Sequence, residues 1–266
     1  MEARAREFPF SDADFRWVQS TAKSVFGVHI VDDKRDLVYS RLAPVLRRHE
    51  LSFESLRSAV KERDLEQAFI DALTTNVTSF FREPHHFELL ANFARERGTA
   101  GVRLWSAGCS LGMEPYSAAM TLREVGAGPV KILGTDVDSK AVSIARSGVY
   151  ELDVLSDVPV ERLRRHFVRG GGANARKAKL KPETHSLVTV NQLNLMAKWP
   201  FQRSFDVVFC RNVLIYFDSK EKAELIRRFV AQLRPGGLLF LGHSESAQGV
   251  DVPLESLGRT TYRRAS

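Results

Sequence analysis

The sequence predicts an α/β fold: a doubly wound, mainly parallel sheet, an N-terminal all-helical domain before it, and a small inserted β-hairpin subdomain. Three observations predict this fold. Residues 1–88 carry helical periodicity without strand patterns, later residues alternate short apolar runs with amphipathic helices, and residues from about 149 to 186 break that alternation. We therefore expect a helical domain with a linker over 1–88 and an α/β domain over 89–266.

Size and charge are those of a globular protein. The chain has 266 residues, of which 44% are hydrophobic, so it can bury a sizeable core. Its formal net charge of +7 favours acidic partners, although a solubilising surface excess also explains it. The N-terminus lacks the apolar core of a signal peptide, and no apolar run is long enough to span a membrane. We expect a cytoplasmic monomer without membrane insertion.

The first third of the chain predicts four short amphipathic helices. Ser11–Asp14 resembles a capping box that opens the first helix, and Gly27 is a suitable C-terminal stop. The second helix begins near Asp32 or Asp33, and Pro44 predicts that it is kinked or split. The apolar positions are Phe15, Val18, Ala22 and Val25, then Leu37, Val38, Leu42, Val45 and Leu46, then Phe53, Leu56 and Val60, and finally Leu65, Ala68, Phe69, Ala72 and Leu73.

A basic strip recurs on the second helix. Lys34, Arg41 and Arg48 are spaced by seven residues, which places them near one face. Two interpretations remain open: a solvated surface, or a docking strip for an acidic helix of a partner.

The segment from Thr74 to Phe87 mixes hydroxyls, an amide and an arginine with phenylalanines, as a buried polar loop would. The adjacent pair His85 and His86 is a weak metal signal, because we find no Cys, Asp or Glu that completes a ligand set. We expect no metal. Cys109 and Cys210 also lack metal-ligand spacing and are too few for a disulfide framework.

Five apolar runs predict strands in the rest of the chain, with helices between several of them. The expected strands are Val102–Ser106, Val130–Thr135, Leu187–Val190, Phe205–Cys210 and Leu238–Leu241, and the expected helices are Pro115–Val125, Lys140–Ser147 and Lys220–Leu233. Arg234–Gly237 predicts a turn, and Arg259–Arg264 predicts an antiparallel edge strand.

The turn from Gly108 to Gly112 is the main ligand signal. A strand that passes through small residues into a helix lets a ligand approach the backbone closely. The middle glycine of a dinucleotide-binding turn is missing, so a smaller adenosine ligand without phosphates fits better. Asp136, at the end of the second strand, suits a ribose-hydroxyl acceptor, or it caps the next helix. Glu114 either holds a ligand or favours a helix N-terminus.

Several sequence blocks resemble the chemotaxis-receptor glutamate methyltransferases, the CheR family. The matching blocks are Thr74–Arg82 with His85–Phe87, Trp105–Ser117, Thr135–Asp138, Asn194-Leu195, Phe209–Asp218 and Gly242–Glu245. The resemblance spans nearly the whole chain. It implies a class I methyltransferase-like fold and an enzyme that transfers a methyl group from S-adenosylmethionine to glutamate side chains of receptor cytoplasmic helices.

The resemblance also implies roles for individual residues. Asn76, Thr78 and Arg82 would line the methionine end of the S-adenosylmethionine pocket, Glu114 would hold the α-amino group, Asp136 the ribose hydroxyls, Asn194 and Leu195 the adenine, and Arg211 and Asn212 the remaining wall. Arg82 and Tyr216 would face the methyl group and the incoming glutamate. In some family members the inserted hairpin holds a receptor's C-terminal peptide.

Alternative interpretations remain. The residues alone allow Arg82 to form an ion pair with Glu83 or Glu88, and allow Tyr216 and Phe217 to be core residues. Leu111 and Met113 depart from the family's pattern and motivate a catalytically weak or inactive relative that acts as a cofactor-binding scaffold. A nucleic-acid methyltransferase is the third hypothesis, but the tetrapeptide typical of amino-methylating enzymes is absent, so we expect no nucleic-acid partner.

Overall fold

The computed structural model describes residues 6–202 and 204–265. The chain begins with a helical bundle made of α1 (Asp12–Phe26), α2 (Arg35–His49), α3 (Phe53–Lys61) and α4 (Glu66–Leu73). Ser11 closes a capping box with Asp14, and Gly27 ends α1 in the left-handed conformation, as predicted. The apolar positions predicted for these helices, except Leu37 and Ala68, form one core around Phe15, Leu42 and Phe69. The prediction is wrong for Leu37, which is exposed.

The alternative of a split helix at Pro44 is wrong, because Arg35–His49 is one continuous helix with Pro44 inside it. Pro44 and Ser40, whose carbonyl loses its amide partner, are both exposed, so water can solvate that carbonyl. Leu42 and Leu46 are fully buried on the opposite side and hold the helix against the bundle. A 3₁₀ turn, Asp32–Lys34, precedes α2.

The main sheet confirms the predicted doubly wound α/β architecture. Its strands are β1 (Val102–Ala107), β2 (Val130–Asp136), β6 (Val188–Gln192), β7 (Phe205–Cys210), β8 (Leu233–Leu241), β9 (Leu254–Gly258) and β10 (Thr261–Arg264). Their order is β6-β2-β1-β7-β8-β10-β9, and the first five pair in parallel. The strand order reverses between β1 and β7, which makes their carboxyl ends the expected position of a ligand site.

The central strands of the sheet are covered on both faces, which explains their mostly apolar runs. Leu104 of β1 joins the core on one face and Trp105 the core on the other. The first face is covered by α5 (His85–Arg97), α6 (Met113–Glu124) and α7 (Ser139–Ser147), and the second by α10 (Ser219–Gln232). Helix α5 was not among the predicted elements.

The predicted insertion is present as a small second sheet. It consists of β3 (Val149–Glu151), β4 (Phe167–Arg169) and β5 (Lys177–Leu180), with β5 in the middle and all pairs antiparallel. Two short helices, α8 (Val160–His166) and α9 (Pro182–His185), flank it. The insertion therefore has a third strand beside the predicted hairpin.

Two predictions at the C-terminal end are wrong in detail. Arg234–Gly237 lies within β8 rather than forming a separate turn, and the pairing register with β7 shifts there. The tail strand β10 is antiparallel as predicted, but it lies between β8 and β9 instead of at the edge. The edge strand, β9, is largely exposed and therefore carries little apolar pattern in the sequence.

Candidate functional site

A cavity of about 300 Å³ lies at the carboxyl ends of β1, β2, β6 and β7. The linker after α4 and the end of α1 complete its wall, so both the helical bundle and the sheet contribute to it. All ten residues predicted for the site line this cavity. These are Asn76, Thr78, Arg82, Glu114, Asp136, Asn194, Leu195, Arg211, Asn212 and Tyr216.

The turn after β1 brings the backbone close to the cavity. Gly108 has φ +77°, and a Cβ there would meet Cγ2 of Val213 at 2.4 Å. Ser110 also has a positive φ, and its amide donates to Asp136 Oδ2 at 2.7 Å. Only glycine satisfies both the conformation and the contact at position 108.

Glu114 is held at the start of α6 by two donors. Its Oε1 accepts from Ser106 Oγ at 2.7 Å, and its Oε2 lies 3.0 Å from Nη1 of Arg211. The side chain is 12% exposed. Burial raises the pKa of the Glu114 carboxyl above its ordinary value, against the opposing charge of Arg211 and the hydrogen bond from Ser106.

Asp136 lies at the end of β2 and is not the cap of the following helix. Asp138 has that role, because its Oδ1 accepts from the amides of Lys140 and Ala141 at 2.9 Å. Asp136 accepts from the amides of Ser110 and Asp138 and lines the cavity. Burial raises the pKa of the Asp136 carboxyl, although those amides oppose the shift.

The linker after α4 is fixed by hydrogen bonds to the two strand ends. Asp138 Oδ2 accepts from Thr74 Oγ1 at 2.6 Å and from Asn76 Nδ2 at 2.7 Å. Asn76 Oδ1 accepts from Ser110 Oγ at 2.9 Å. The predicted buried polar loop thus becomes one wall of the cavity, and Phe80 is buried below it.

Arg82 lies between two residues of positive φ, Phe81 and Glu83. Its guanidinium donates to the carbonyl of Val77 at 3.0 Å. Glu83, the ion-pair partner that the sequence allowed for Arg82, instead lies 3.2 Å from Arg211 and 3.1 Å from His243 Nδ1. Glu83 therefore does not hold the side chain of Arg82, which lines the cavity.

Tyr216 and Phe217 have different surroundings. Both line the cavity, but Phe217 is buried and belongs to the core, as one interpretation of the sequence held, whereas Tyr216 is half-buried. Burial raises the pKa of the Tyr216 hydroxyl, against the charges of Arg41 and Arg82. The Tyr216 carbonyl accepts from the amide of His29 at 2.8 Å, which ties this turn to the helical bundle.

Asn194 and Asn212 are each held by a hydrogen bond to a distant part of the chain. Asn194 Nδ2 donates to the carbonyl of Val25 in α1 at 2.6 Å. Asn212 has φ +59°, and its amide donates to Oε2 of Glu245, which also accepts from the amide of Gly242 at 2.6 Å. The buried Glu245 carboxylate therefore holds the turn after β7.

Four polar residues that shape the site were not predicted as site residues: Ser106, Glu83, Asp138 and Glu245. Three of them, Ser106, Asp138 and Glu245, lie within the sequence blocks that match the family. Their position in those blocks is the sequence signal that could have identified them. Glu83, Asp138 and Glu245 contact distant segments, as in the pair of Glu83 with Arg211. Ser106 instead donates to Glu114 of the helix that follows its own strand.

The statement that no carboxylate accompanies the two histidines is wrong. Glu83, His85 and His86 place ligand atoms within 4.8 Å of one another. The sequence spacing did not show this, because the turn at Glu83 folds back toward α5. The adjacent guanidinium of Arg211 opposes a divalent cation there.

The basic strip is divided by the structure. Arg41 donates to the carbonyls of Leu73 and Thr74 at 2.8 and 3.1 Å, so it ties α2 to the cavity wall. Lys34 lies in the 3₁₀ turn before α2 and pairs with Asp33 at 3.0 Å. Arg48 is exposed and pairs with no carboxylate among residues 6–202 and 204–265.

Two protein-family models match this chain. A family model described as CheR methyltransferase, SAM binding domain, matches residues 76–263, and one described as CheR methyltransferase, all-alpha domain, matches residues 13–74. The chain belongs to the CheR methyltransferase family. It is therefore an S-adenosylmethionine-dependent methyltransferase.

Relatives of this CheR protein span nearly the same length. Chemotaxis protein methyltransferase 2 of Pseudomonas aeruginosa is 42% identical and covers 98% of this chain and 96% of its own. The chemotaxis protein methyltransferases of Escherichia coli and Salmonella typhimurium are 41% and 40% identical, each over 95% of this chain, and over 91% and 90% of their own.

The residues of the cavity fit S-adenosylmethionine. The cavity presents the carboxylates of Asp136 and Glu114, and glycine at position 108 leaves the backbone of the turn without a side chain. Carboxylates with a few polar donors in an otherwise apolar cavity are what an adenosine ligand with an amino-acid end requires.

Leu111 and Met113, the two departures from the family's pattern, are absent from the described cavity lining. Met113 is buried in the core, and the Leu111 carbonyl accepts from the hydroxyl of Tyr150 at 2.9 Å. Their side chains thus leave Glu114 in place. None of the described helices is long and apolar enough to cross a membrane.

Proposed function

We propose that this CheR protein transfers a methyl group from S-adenosylmethionine to glutamate side chains on cytoplasmic helices of chemoreceptors, forming methyl esters. The observation that carries the proposal is the meeting of all ten predicted residues around one cavity. The chemotaxis names of its relatives support the choice of chemoreceptors. No observation favours the inactive alternative.

The proposed roles follow the position of each residue in the cavity. Asp136 accepts from the ribose hydroxyls, and Glu114 accepts from the α-ammonium. Asn194 and Leu195 flank the adenine, and Arg211 and Asn212 complete the wall. Asn76, Thr78 and Arg82 line the methionine end.

The chemistry requires positioning more than proton transfer. S-adenosylmethionine supplies a methyl group on a sulfonium. A glutamate carboxyl has an ordinary pKa near 4.3, so the attacking oxygen is ionised at neutral pH and needs no general base. Orienting two reactants contributes roughly 7–11 kcal/mol at best.

Arg82 and Tyr216 are proposed to perform that positioning. A guanidinium keeps its charge when partly desolvated and can grip a carboxylate without protonating it. The Tyr216 hydroxyl, whose pKa burial raises, stays protonated and can donate to the incoming glutamate. Both side chains line the cavity.

The surroundings of the cavity suit an amphipathic acidic helix. Val77 and Ile215 line the cavity and are 76% and 48% exposed. Arg48 of α2 offers an exposed positive charge on the helix that Arg41 ties to the cavity wall. Of the three residues of the basic strip, only Arg48 is left exposed on α2 without a described carboxylate partner, and we propose that α2 docks the receptor helix through it. We further propose a cytoplasmic monomer with domains over 1–88 and 89–266.

Labelled methyl transfer tests the activity. Purified protein, incubated with labelled S-adenosylmethionine and co-encoded receptors, is expected to form base-labile esters on receptor glutamates. Arg82→Ala is expected to abolish transfer while the free energy of unfolding stays near that of the wild type. Ester formation at an unchanged rate in Arg82→Ala would refute the role of Arg82. Absence of ester despite donor binding would refute the activity.

Charge reversal tests the docking strip. Arg48→Glu is expected to raise KM for the receptor several-fold with little change in kcat, because the residue lies outside the cavity. Lys61→Glu, an equal charge change at the exposed end of α3, is the matched control. Equal effects of the two variants would contradict docking through α2.

A further inference from the structure

Arg211 is shared by two carboxylates beneath the cavity. Its guanidinium is 1% exposed, with Nη1 3.0 Å from Glu114 Oε2 and Nη2 3.2 Å from Glu83 Oε2. Nη2 also donates to the carbonyl of Arg82. These three side chains form a row, Glu83, Arg211 and Glu114, in which two carboxylates share one guanidinium.

The charge count of this row matters for a cationic ligand. Without Glu83, the carboxylate of Glu114 would have to neutralise two cations when the ligand is bound, the guanidinium of Arg211 and the ligand ammonium. Glu83 neutralises Arg211, which leaves the charge of Glu114 for that ammonium. Charges act strongly here because the side chains of Glu83 and Glu114 are each 12% exposed.

Glu83 is itself held in an ionised state. Burial raises the pKa of the Glu83 carboxyl, but the charge of Arg211 and the hydrogen bonds from His243 outweigh burial and hold it below its ordinary value. Its backbone has φ +57°, a conformation that persists only when the surroundings fix it. The pair with Arg211 and the contact with His243 fix it.

We propose that Glu83 is an electrostatic positioning residue for the methyl donor: it occupies Arg211 so that Glu114 is left to bind the α-ammonium. Glu83 is absent from the described cavity lining and acts through Arg211. The proposal rests on the proposed binding of the ammonium by Glu114. It assigns Glu83 an effect confined to ligands that carry the amino-acid end.

Two probes separate that effect from a general loss of structure. S-adenosylhomocysteine carries the ammonium, whereas methylthioadenosine has the same adenosine and thioether without it. Glu83→Gln is expected to weaken S-adenosylhomocysteine about tenfold, the size of one unit charge acting across a partly buried site. Methylthioadenosine should bind Glu83→Gln within about twofold of the wild type. Both affinities are measured by calorimetry.

The matched control is Glu88→Gln, because Glu88 is exposed on α5 and its substitution removes the same charge. It should leave both affinities unchanged. Equal weakening of both probes by Glu83→Gln would mean that the substitution distorts the cavity, and would overturn the proposal. An unchanged affinity for both probes would overturn it as well.

Glu114→Gln separates this proposal from the site assignment on which it rests. It should weaken S-adenosylhomocysteine selectively and more strongly than Glu83→Gln does. If Glu114→Gln is selective and Glu83→Gln is not, the role of Glu83 fails and the site assignment stands. If Glu114→Gln has no selective effect, the assignment of the ammonium to Glu114 fails first.

Discussion

The guanidinium of Arg162 lies 4.1 Å from the ring centroid of Phe81. Arg162 belongs to α8 of the insertion, and Phe81 directly precedes Arg82 in the cavity wall. Phe80 adds a second contact, because its ring packs edge-on against Tyr150 and Phe167 of the inserted sheet. The insertion is therefore packed against the segment that presents Arg82.

Arg162→Ala is expected to lower the free energy of unfolding by about 1–2 kcal/mol. The variant loses the contact with Phe81 and a bidentate pair with Glu124, whose Oε2 lies 2.9 Å from Arg162 Nη2. Urea denaturation measures the change. Arg164→Ala is the control, since Arg164 lies on the same helix in an exposed pair with Glu161. Equal losses in the two variants would contradict a specific role for Arg162.

Gly108→Ala is expected to destabilise the protein by more than about 2 kcal/mol and to abolish binding of S-adenosylhomocysteine. The added Cβ meets Val213 at 2.4 Å in a backbone conformation that alanine resists. Gly126→Ala is the control for backbone strain without a collision, because Gly126 has φ +66° and no atom lies within 4 Å of its Cβ position. It should cost about 1 kcal/mol.

The double variant Gly108→Ala, Val213→Ala separates the contact from the strain. It should recover the part of the loss that the collision with Val213 causes, and approach the cost seen for Gly126→Ala. No recovery in urea denaturation would show that the close approach to Val213 does not limit position 108.

Asp136→Asn is expected to weaken S-adenosylhomocysteine and methylthioadenosine alike, by about 10- to 100-fold. Both ligands carry the ribose, and hydrogen bonds to a charged acceptor contribute about 1.5–3 kcal/mol. The amides of Ser110 and Asp138 donate to different oxygens of Asp136, so the asparagine oxygen keeps one of the two bonds. Loss of the other should lower the free energy of unfolding by about 1–3 kcal/mol without abolishing the fold. A loss confined to S-adenosylhomocysteine, measured by calorimetry, would contradict the ribose assignment.

The sequence predicts those parts of the fold whose signal is local. Phe205–Cys210 is buried at every position, so its strand appears as an apolar run, interrupted only by Asp206, with the predicted bounds. Strand β9 is mostly exposed and gives no such run. Pro44 misleads because its cost depends on whether the freed carbonyl reaches water, which the sequence does not show.

The site residues also divide into those with a local sequence signal and those that depend on the tertiary structure. Asp136 is recognisable because it follows an apolar strand directly. The pairing of Glu83 with Arg211, and the replacement of Asp136 by Asp138 as the helix cap, depend on how distant segments meet. Block resemblance supplied residues such as Asn194 and Arg211, whose place in the cavity no local pattern indicates.

The fully buried His86 is expected to make stability depend on pH. Its Nε2 donates to the carbonyl of Arg259 at 2.9 Å, and burial lowers the pKa of His86 from 6.5 to about 4. Above pH 6.5 the imidazole is neutral in both states, so this stability is fully present there. As pH falls the unfolded chain binds the proton first, and stability is lost toward pH 4.

The expected loss from this group between pH 7 and pH 5 is about 2 kcal/mol. Urea denaturation over that range should therefore give a shallower pH dependence for His86→Gln, which keeps a donor for Arg259 but does not titrate. Glu83, Arg211 and His85, the charged and titratable neighbours of His86, remain in the variant, so their contributions cancel in the comparison. His49→Gln, at an exposed position in α2, is the control. If His86→Gln and His49→Gln retain the same pH dependence as the wild type, the buried imidazole does not control acid stability.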